Sequence, residues 1–525
     1  MFIPLSNALL FMEYGIRCIM IKNRFLKACI ICYLISLWVG IFNSICNGED
    51  KFMDNSKVKV YSQPGEEIPS SDFSVSVNGK SVFVYSARVS AVPLNQVWPG
   101  YQRPLDQTEI ASFAYWDMSE PVTIEVVSSR PVASVDIRPL SYEIKPSVED
   151  DRIKFQMPKP GFVTVEVNGT HHALHLFASP LEEDTPDQND PNVRYFGPGI
   201  HKAGRIDLKS GETVYIAGGA IVHGVISANE ASNISILGRG ILDVSTFGRE
   251  GFPGPISLYK CANVKIDGII IRDSNVWAVT PRDCEHLSIS NIKLIGLWRY
   301  NADGIDIVNC QDVSIDKCFI RSFDDSIVIK GLKGTGDKPV KDVRVNDCVI
   351  WNDWGRAIEI GAETVAPEIS GLTFKNCDII HTVHIAMDIQ HGDRALIQDV
   401  RFENICFEID DNTPLPIYQS SKDQKYSITG KEGYCPRLIV LEIRANSYSN
   451  DKERGRIQNI VFKDIFVTGK DFPESYFVGY DSEHQVKDIT IENLRINGKL
   501  IINAEEGHFS VRDYVNNVKF VEGNK

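Results

Sequence analysis

Read for alternation of apolar and polar positions, the chain falls into two kinds of pattern. From about 55 to 180, short runs alternate and are separated by Pro, Gly and Ser. Examples are Phe73-Ser-Val-Ser-Val, Ser81-Val-Phe-Val-Tyr, Val122-Thr-Ile-Glu-Val and Phe162-Val-Thr-Val-Glu-Val. A period of two turns alternate side chains to opposite faces, so one face of each run is buried and the other is wet. The segment predicts a small antiparallel β-sandwich domain over 55–180. The acidic stretch from Pro180, which also carries Pro186 and Pro191, cannot pair well in a sheet and marks a boundary.

From 193 to 515 the chain repeats itself. Strand-like phrases begin at Asn263, His286, Asp312, Asp342, Gly371, Asp399, Asn459 and Asp488, spaced about 23–30 residues apart except for one doubled gap. Each phrase places β-branched or aromatic residues at alternate positions, and no helical period of comparable length appears. A fixed repeat of this length predicts a solenoid, here a parallel β-helix. The fold class is therefore all-β, a right-handed parallel β-helix preceded by the sandwich. The doubled gap, 410–456, lacks the phrase and predicts a long loop or extra hairpin beside a binding groove.

At the amino terminus, Lys22, Arg24 and Lys27 precede an apolar run from Ala28 to Phe42 and a polar exit. This pattern predicts an export segment over 1–48; membrane contact arises only if that segment stays uncleaved. The protein is expected in the periplasm, at the cell surface or secreted, and as a monomer. A formal net charge of −14 argues against nucleic acid as a partner. Of 12 cysteines, Cys261, Cys284 and Cys310 precede the first apolar strand position of their coils by three residues, while Cys318, Cys348 and Cys377 follow it by five. Equivalent positions stack in successive coils, so these six read as two interior ladders of free buried thiols. Their spacing offers no zinc site, and neither a cofactor nor a metal is expected.

The chemistry concentrates in Tyr300-Asn-Ala-Asp-Gly-Ile-Asp306 and, one coil later, Ser322-Phe-Asp-Asp-Ser326. Asp303 and Asp324 are about one coil apart and should lie side by side, where neighbouring carboxylates raise each other's proton affinity. Glycosidic hydrolysis needs such a set: one carboxylic acid to protonate the leaving oxygen and one carboxylate to activate water. Consecutive strand residues face opposite ways, so Asp324 and Asp325 can act together only if the chain bends between its strands. An Asp-Gly pair is also a turn signal, and clustered carboxylates can gather round calcium. Trp298, Trp351 and Trp354 fall near the cluster in repeat register and offer either stacking faces for sugar rings or packing. His381 and His384 stand one coil beyond Arg356, and His381 is taken as a cleft residue.

These residues resemble the Asn-Thr-Asp and Asp-Asp signatures of the polygalacturonase clan, glycoside hydrolase families 28 and 49, over a span from about 193 to 500. The segment before it, with Tyr195-Phe-Gly-Pro-Gly-Ile-His, resembles the dextranase and isopullulanase branch. The resemblance implies an inverting glycoside hydrolase with Asp324 as general acid and Asp303 and Asp325 positioning and activating water. The substrate-binding candidates are Asn301, Arg356, Asp388 and Gln390 at or beside these motifs, with Trp298, Trp354 and His381 from their place in the repeat. Two motifs depart from family 28. Gly355-Arg-Ala357 stands at its Gly-His-Gly, and Asp388-Ile-Gln390 at its Arg-Ile-Lys. Losing two cations from a uronate pocket favours a neutral or differently modified sugar over plain polygalacturonate. The expected partner is an α-linked polysaccharide or oligosaccharide. The rival readings are a polysaccharide lyase, for which basic partners are scarce, and a non-catalytic glycan-binding protein.

Overall fold

The computed structural model describes residues 57–91, 105–183, 185–249, 253–334, 338–409, 436–470 and 474–523, all within the compact unit Lys57–Lys525. The export segment expected over 1–48 lies outside the described residues. The alternating runs form two sheets over a shared apolar core. A six-stranded sheet holds Val58–Val60, Val84–Ser90, Thr108–Met118, Leu174–Pro180, Gly161–Val167 and Val135–Arg138. A five-stranded sheet holds Lys80–Val82, Phe73–Val77, Val122–Ser128, Arg152–Met157 and Ser147–Glu149. Pairing is antiparallel except between Leu174–Pro180 and Thr108–Met118, which run parallel. That pair is a departure from the expected antiparallel sandwich. The chain between them crosses to the other sheet and back, as a parallel connection requires.

From Val193 to Val521 the described residues form 30 strands of a right-handed β-helix, stacked in parallel coil on coil apart from the short antiparallel pair Arg495–Ile496 and Lys499–Leu500. The repeat phrases explain themselves at their ends. Asp312, Asp342, Asp399, Asn459 and Asp488 open their phrases in the left-handed region, with φ between 50 and 58°. Lys317, Asp347, Asn404, Asp464 and Asn493 close them there too, with φ between 51 and 55°. Asn and Asp tolerate that conformation best among residues with a Cβ, so they recur at the coil corners. Between corners, Val343, Leu372, Val400, Ile460 and Ile489 stack as one inward column in matched register. Phe374, Phe402 and Phe462 continue the packing, with ring centroids 4.8 and 4.9 Å apart. Burying each such side chain is worth about 1.5–3 kcal/mol, repeated along the solenoid.

Cys261, Cys284, Cys310, Cys318, Cys348 and Cys377 are free and buried. Cys284 Sγ accepts the amide of Cys261 at 3.3 Å and Cys310 Sγ that of Cys284 at 3.4 Å, so the ladder satisfies backbone donors. The doubled gap proves to be a single long coil, because Leu396–Glu408 pairs directly with Arg456–Thr468. Within it, Arg437–Ile443 takes its place beside Ile385–His391; residues 410–435 lie outside the described residues.

The sandwich packs on one side of the solenoid. Tyr85, Phe113, Tyr115, Phe162 and Phe177 meet Ile241, Ile270, Phe319, Val349, Trp351 and Ile380 in one buried cluster. Around it run buried ion pairs: Arg138 with Glu166 and Glu408, and Arg272 with Glu67 and Asp243.

Candidate active site

A second face of the solenoid carries Ile256–Tyr259, Val279–Arg282, Ile305–Val308, Ile327–Gly331, Arg356–Thr364 and Ile385–His391 as neighbouring strands. Inward positions are apolar, as in the column Ile307, Ile329, Ile360, Ile389. The outward positions are where the charge lies, and Asp303, Asp324 and Asp325 sit in the corners that lead into these strands. The expected bend is present: Phe319–Ser322 ends, residues 323–326 turn, and Ile327–Gly331 begins.

Backbone bonds fix the corner. Ser322 Oγ and Asn352 Nδ2 both donate to the Asp324 carbonyl at 2.7 Å. The amide of Asp324 donates to the Ala302 carbonyl at 3.2 Å, and the amide of Gly304 to the Asp325 carbonyl at 2.8 Å. Those two bonds lock Asp303's coil against that of Asp324 and Asp325. Two glycines make the approach possible. A Cβ on Gly355 would stand 2.4 Å from Asp325 Oδ1, and one on Gly304 2.3 Å from the Ser326 carbonyl.

Lys330, which the sequence reading missed, sits among the carboxylates. Its Nζ is 3.6 Å from Asp303 and from Asp306 and 3.7 Å from Glu363, and 4.1 Å from the Trp277 ring centroid. It supplies the positive charge that calcium would bring to such a cluster. Burial opposes its charge, but Asp303, Asp306 and Glu363 prevail and hold it well above the ordinary lysine range.

The acidic residues separate into two protonation classes. Burial, reinforced by the charge of Asp325, pushes Asp324 well above the ordinary aspartate range. Asp303 goes the same way through burial and the charges of Asp306 and Asp324. Burial raises Asp306 to about 7, against the pull of Lys330. Asp325 goes down: burial alone would raise it, but Arg356, a hydrogen bond with Glu359 and Lys330 outweigh that. Glu359 beside it is driven well above the ordinary glutamate range by burial and by the charge of Asp325. Environments that drive neighbouring carboxyls apart mark an acid and a base.

The remaining candidates fall on both sides of the solenoid. Arg356 donates its amide to Asp325 Oδ1 at 2.8 Å and stands 3.7 Å from that carboxylate and 3.3 Å from Asp388. Asp388 is buried behind Arg356, and burial raises it to about 7. Gln390 donates to Glu359 at 3.2 Å and lines the pocket. Asn301, at φ 58°, donates to Asp303 at 3.3 Å and is held by Arg249 at 2.8 Å. Trp354 lines the pocket and stacks on Phe323 at 5.4 Å and 9°. The pocket holds about 160 Å³ and includes Trp277 and Tyr448 among its walls.

Two assignments are corrected. His381 points into the sandwich, hydrogen-bonded to the buried Glu166 and packed 4.2 Å from Trp351. The histidine beside the cluster is His384, which burial and the charge of Arg356 depress to about 3, keeping it neutral. Trp298 is 5% exposed. It donates to Asp273 at 3.0 Å and lies between Arg88 of the sandwich and Arg299, outside the pocket. Trp351 likewise faces the sandwich, under Arg321 at 3.9 Å.

Compared with known families, residues 242–510 match glycosyl hydrolases family 28. A probable polygalacturonase of Arabidopsis thaliana is 22% identical over 240 residues, 43% of this chain and 52% of that protein. The chain thus spans about half the length of the curated relatives it matches. Among solved structures, Dex49A from Penicillium minioluteum superposes with a TM-score of 0.63 at 18% identity, over 88% of this chain and 96% of that one. A hyperthermoactive exopolygalacturonase from Thermotoga maritima gives 0.49 at 17% identity, over 63% and 84%. The likeness to Dex49A extends the shared fold well beyond the matched family segment.

Proposed function

The chain belongs to glycosyl hydrolases family 28, and from that premise we propose that it is an exported hydrolase that cleaves an α-linked polysaccharide or oligosaccharide with inversion. The observation that carries this reading is the opposed displacement of two adjacent carboxyls, Asp324 up and Asp325 down. Asp324 keeps a proton to give to the leaving oxygen, while Asp325 stays ionised to take one from water. Asp303, paired to Lys330 and Asn301, positions that water. Asn301, Arg356, Trp354 and Gln390 line the sugar, and the sandwich over 55–180 is proposed as a separate structural domain.

At the point of cleavage the substrate is neutral. Lys330 stands 3.6–3.7 Å from Asp303, Asp306 and Glu363, and Arg356 3.3–3.7 Å from Asp388 and Asp325, so both cations are committed to partners within the chain and neither is free for a uronate. Asp388 and Gln390 add no further cation. A reducing-end release screen over dextran, pullulan, polygalacturonate and rhamnogalacturonan fragments checks this. Release from a substrate with a neutral sugar at the cleaved bond is expected, with polygalacturonate left intact. Brisk release from polygalacturonate would overturn the neutral-sugar assignment.

A further inference from the structure

The corner between Arg437–Ile443 and Arg456–Thr468 covers residues 444–455, a much longer turn than 392–395 in the coil before it. Its tip, Asn446-Ser-Tyr-Ser-Asn450, is small and polar apart from Tyr448, which is exposed and lines the acidic pocket. Partial burial and the charge of Asp324 push the Tyr448 hydroxyl above the ordinary tyrosine range. A polar tip of this kind has no apolar anchor of its own to offset the entropy of ordering it, so another group must fix it.

That group is Asp393, buried in the corner of the preceding coil and set back from the pocket walls. Its Oδ1 accepts the amides of Asn450 at 2.6 Å and Asp451 at 2.7 Å, and its Oδ2 accepts that of Thr364 at 2.8 Å. One carboxylate therefore ties three successive coils together. Thr364 follows Glu363, a pocket residue paired with Lys330, so the same bonds also fix that edge of the cluster. Asp393 is itself held. Its amide donates to Thr364 Oγ1 at 2.9 Å, Thr364 Oγ1 donates to His391 Nδ1 at 2.7 Å, and His391 Nε2 donates to the Ala395 carbonyl at 2.8 Å. Burial depresses His391 to about 3, which keeps Nδ1 free to accept. Ser449 Oγ adds a second tether, to the Gly392 carbonyl at 2.7 Å. A Cβ on Gly455 would stand 1.8 Å from the Ala395 carbonyl, so the loop's return leg lies directly on the same corner. A carboxylate is acceptor-only, and hydrogen bonds to it are about twice as strong as neutral ones.

We propose that Asp393 is a positioning residue of the hydrolase: it fixes residues 444–455 against the solenoid and so holds Tyr448 as a wall of the sugar pocket. The inference rests on the hydrolase reading and adds to it a residue that acts from behind the pocket, through Tyr448.

The test uses fluorine NMR of the full chain labelled with fluorotyrosine, in which the Tyr448 line is identified by its loss in Tyr448→Phe. The wild-type protein should give a Tyr448 line displaced from that of the free amino acid. Asp393→Asn keeps the shape but leaves a single acceptor oxygen, and its amide group then faces donors. It should carry the Tyr448 line toward the free position while the lines of Tyr195, Tyr215 and Tyr476 stay in place. Ser449→Ala removes only the second tether and should move the line the same way by less; it decides the matter if Asp393→Asn does not fold. Kinetics on dextran and pullulan form the second arm. Asp393→Asn should raise KM about tenfold with kcat within about twofold, because a pocket wall holds ground and transition states alike. In a Tyr448→Ala background the same substitution should raise KM no further. An unmoved Tyr448 line, or an equal rise in KM in both backgrounds, would overturn the proposal. With neither polymer cleaved, the fluorine arm decides alone. Failure of the hydrolase reading shows elsewhere, as equal reducing-end release by the wild-type chain and Asp324→Asn.

Discussion

Asp324→Asn should retain less than about one-thousandth of wild-type kcat on any polysaccharide the enzyme cleaves, since general acid catalysis alone contributes about 10²–10⁴-fold. The substitution exchanges a neutral, protonated carboxyl for a neutral amide of the same shape. The corner is held through the residue's backbone, by Ser322, Asn352 and Ala302, so thermal stability should be unchanged. The pH dependence follows from the two displacements. Asp324 acts protonated, so activity falls as pH rises through its elevated value. Asp325 acts ionised, so activity falls as pH drops through its depressed one. Because the pair is coupled, the two limbs belong to the cluster rather than to single residues. Residual activity well above a thousandth, with the fold intact, would remove Asp324 from the acid role.

Lys330→Met should be as damaging by a different route. Methionine fills much of the same space but leaves Asp303, Asp306 and Glu363 without the cation that now stands 3.6–3.7 Å from each. Removing one partner of a buried ion pair costs about 3–5 kcal/mol, so chemical denaturation should show a clear loss of stability. Lys330 also helps keep Asp325 low. Without it Asp325 rises, and the acid limb of kcat/KM should move to higher pH. A variant with wild-type stability and an unmoved acid limb would show that Lys330 is a bystander.

What the sequence disclosed and what it hid have physical reasons. The β-helix was legible because its corners demand left-handed residues, so Asp312, Asp342, Asp399, Asn459 and Asp488 recur wherever a phrase begins. The three aspartates were legible as a motif at one-coil spacing. Lys330 was not, because Ile327-Val-Ile-Lys-Gly reads like any buried strand, and alternation alone does not distinguish a groove-facing position from a solvated one. Its signal was register: the outward column that holds Lys330 also holds Arg282 and Tyr259. The misplacements of His381 and Trp298 share one cause. Both lie where the sandwich packs against the solenoid, meeting Glu166 and Arg88 respectively. Nothing in the repeat pattern says which sheet face a preceding domain will cover. His384, three residues past His381, is the last corner residue before Ile385–His391 and so reaches the acidic cluster.

The central claim is hydrolysis with inversion by a protonated and an ionised aspartate, and the most direct test is the anomeric form of the first product. Proton NMR of a cleaved α-linked oligosaccharide, recorded before mutarotation, should show the β-anomer of the new reducing end appearing first. The α-anomer appearing first would mean retention and a covalent intermediate. An unsaturated product would mean elimination, and either result would contradict the assignment of Asp324 and Asp325.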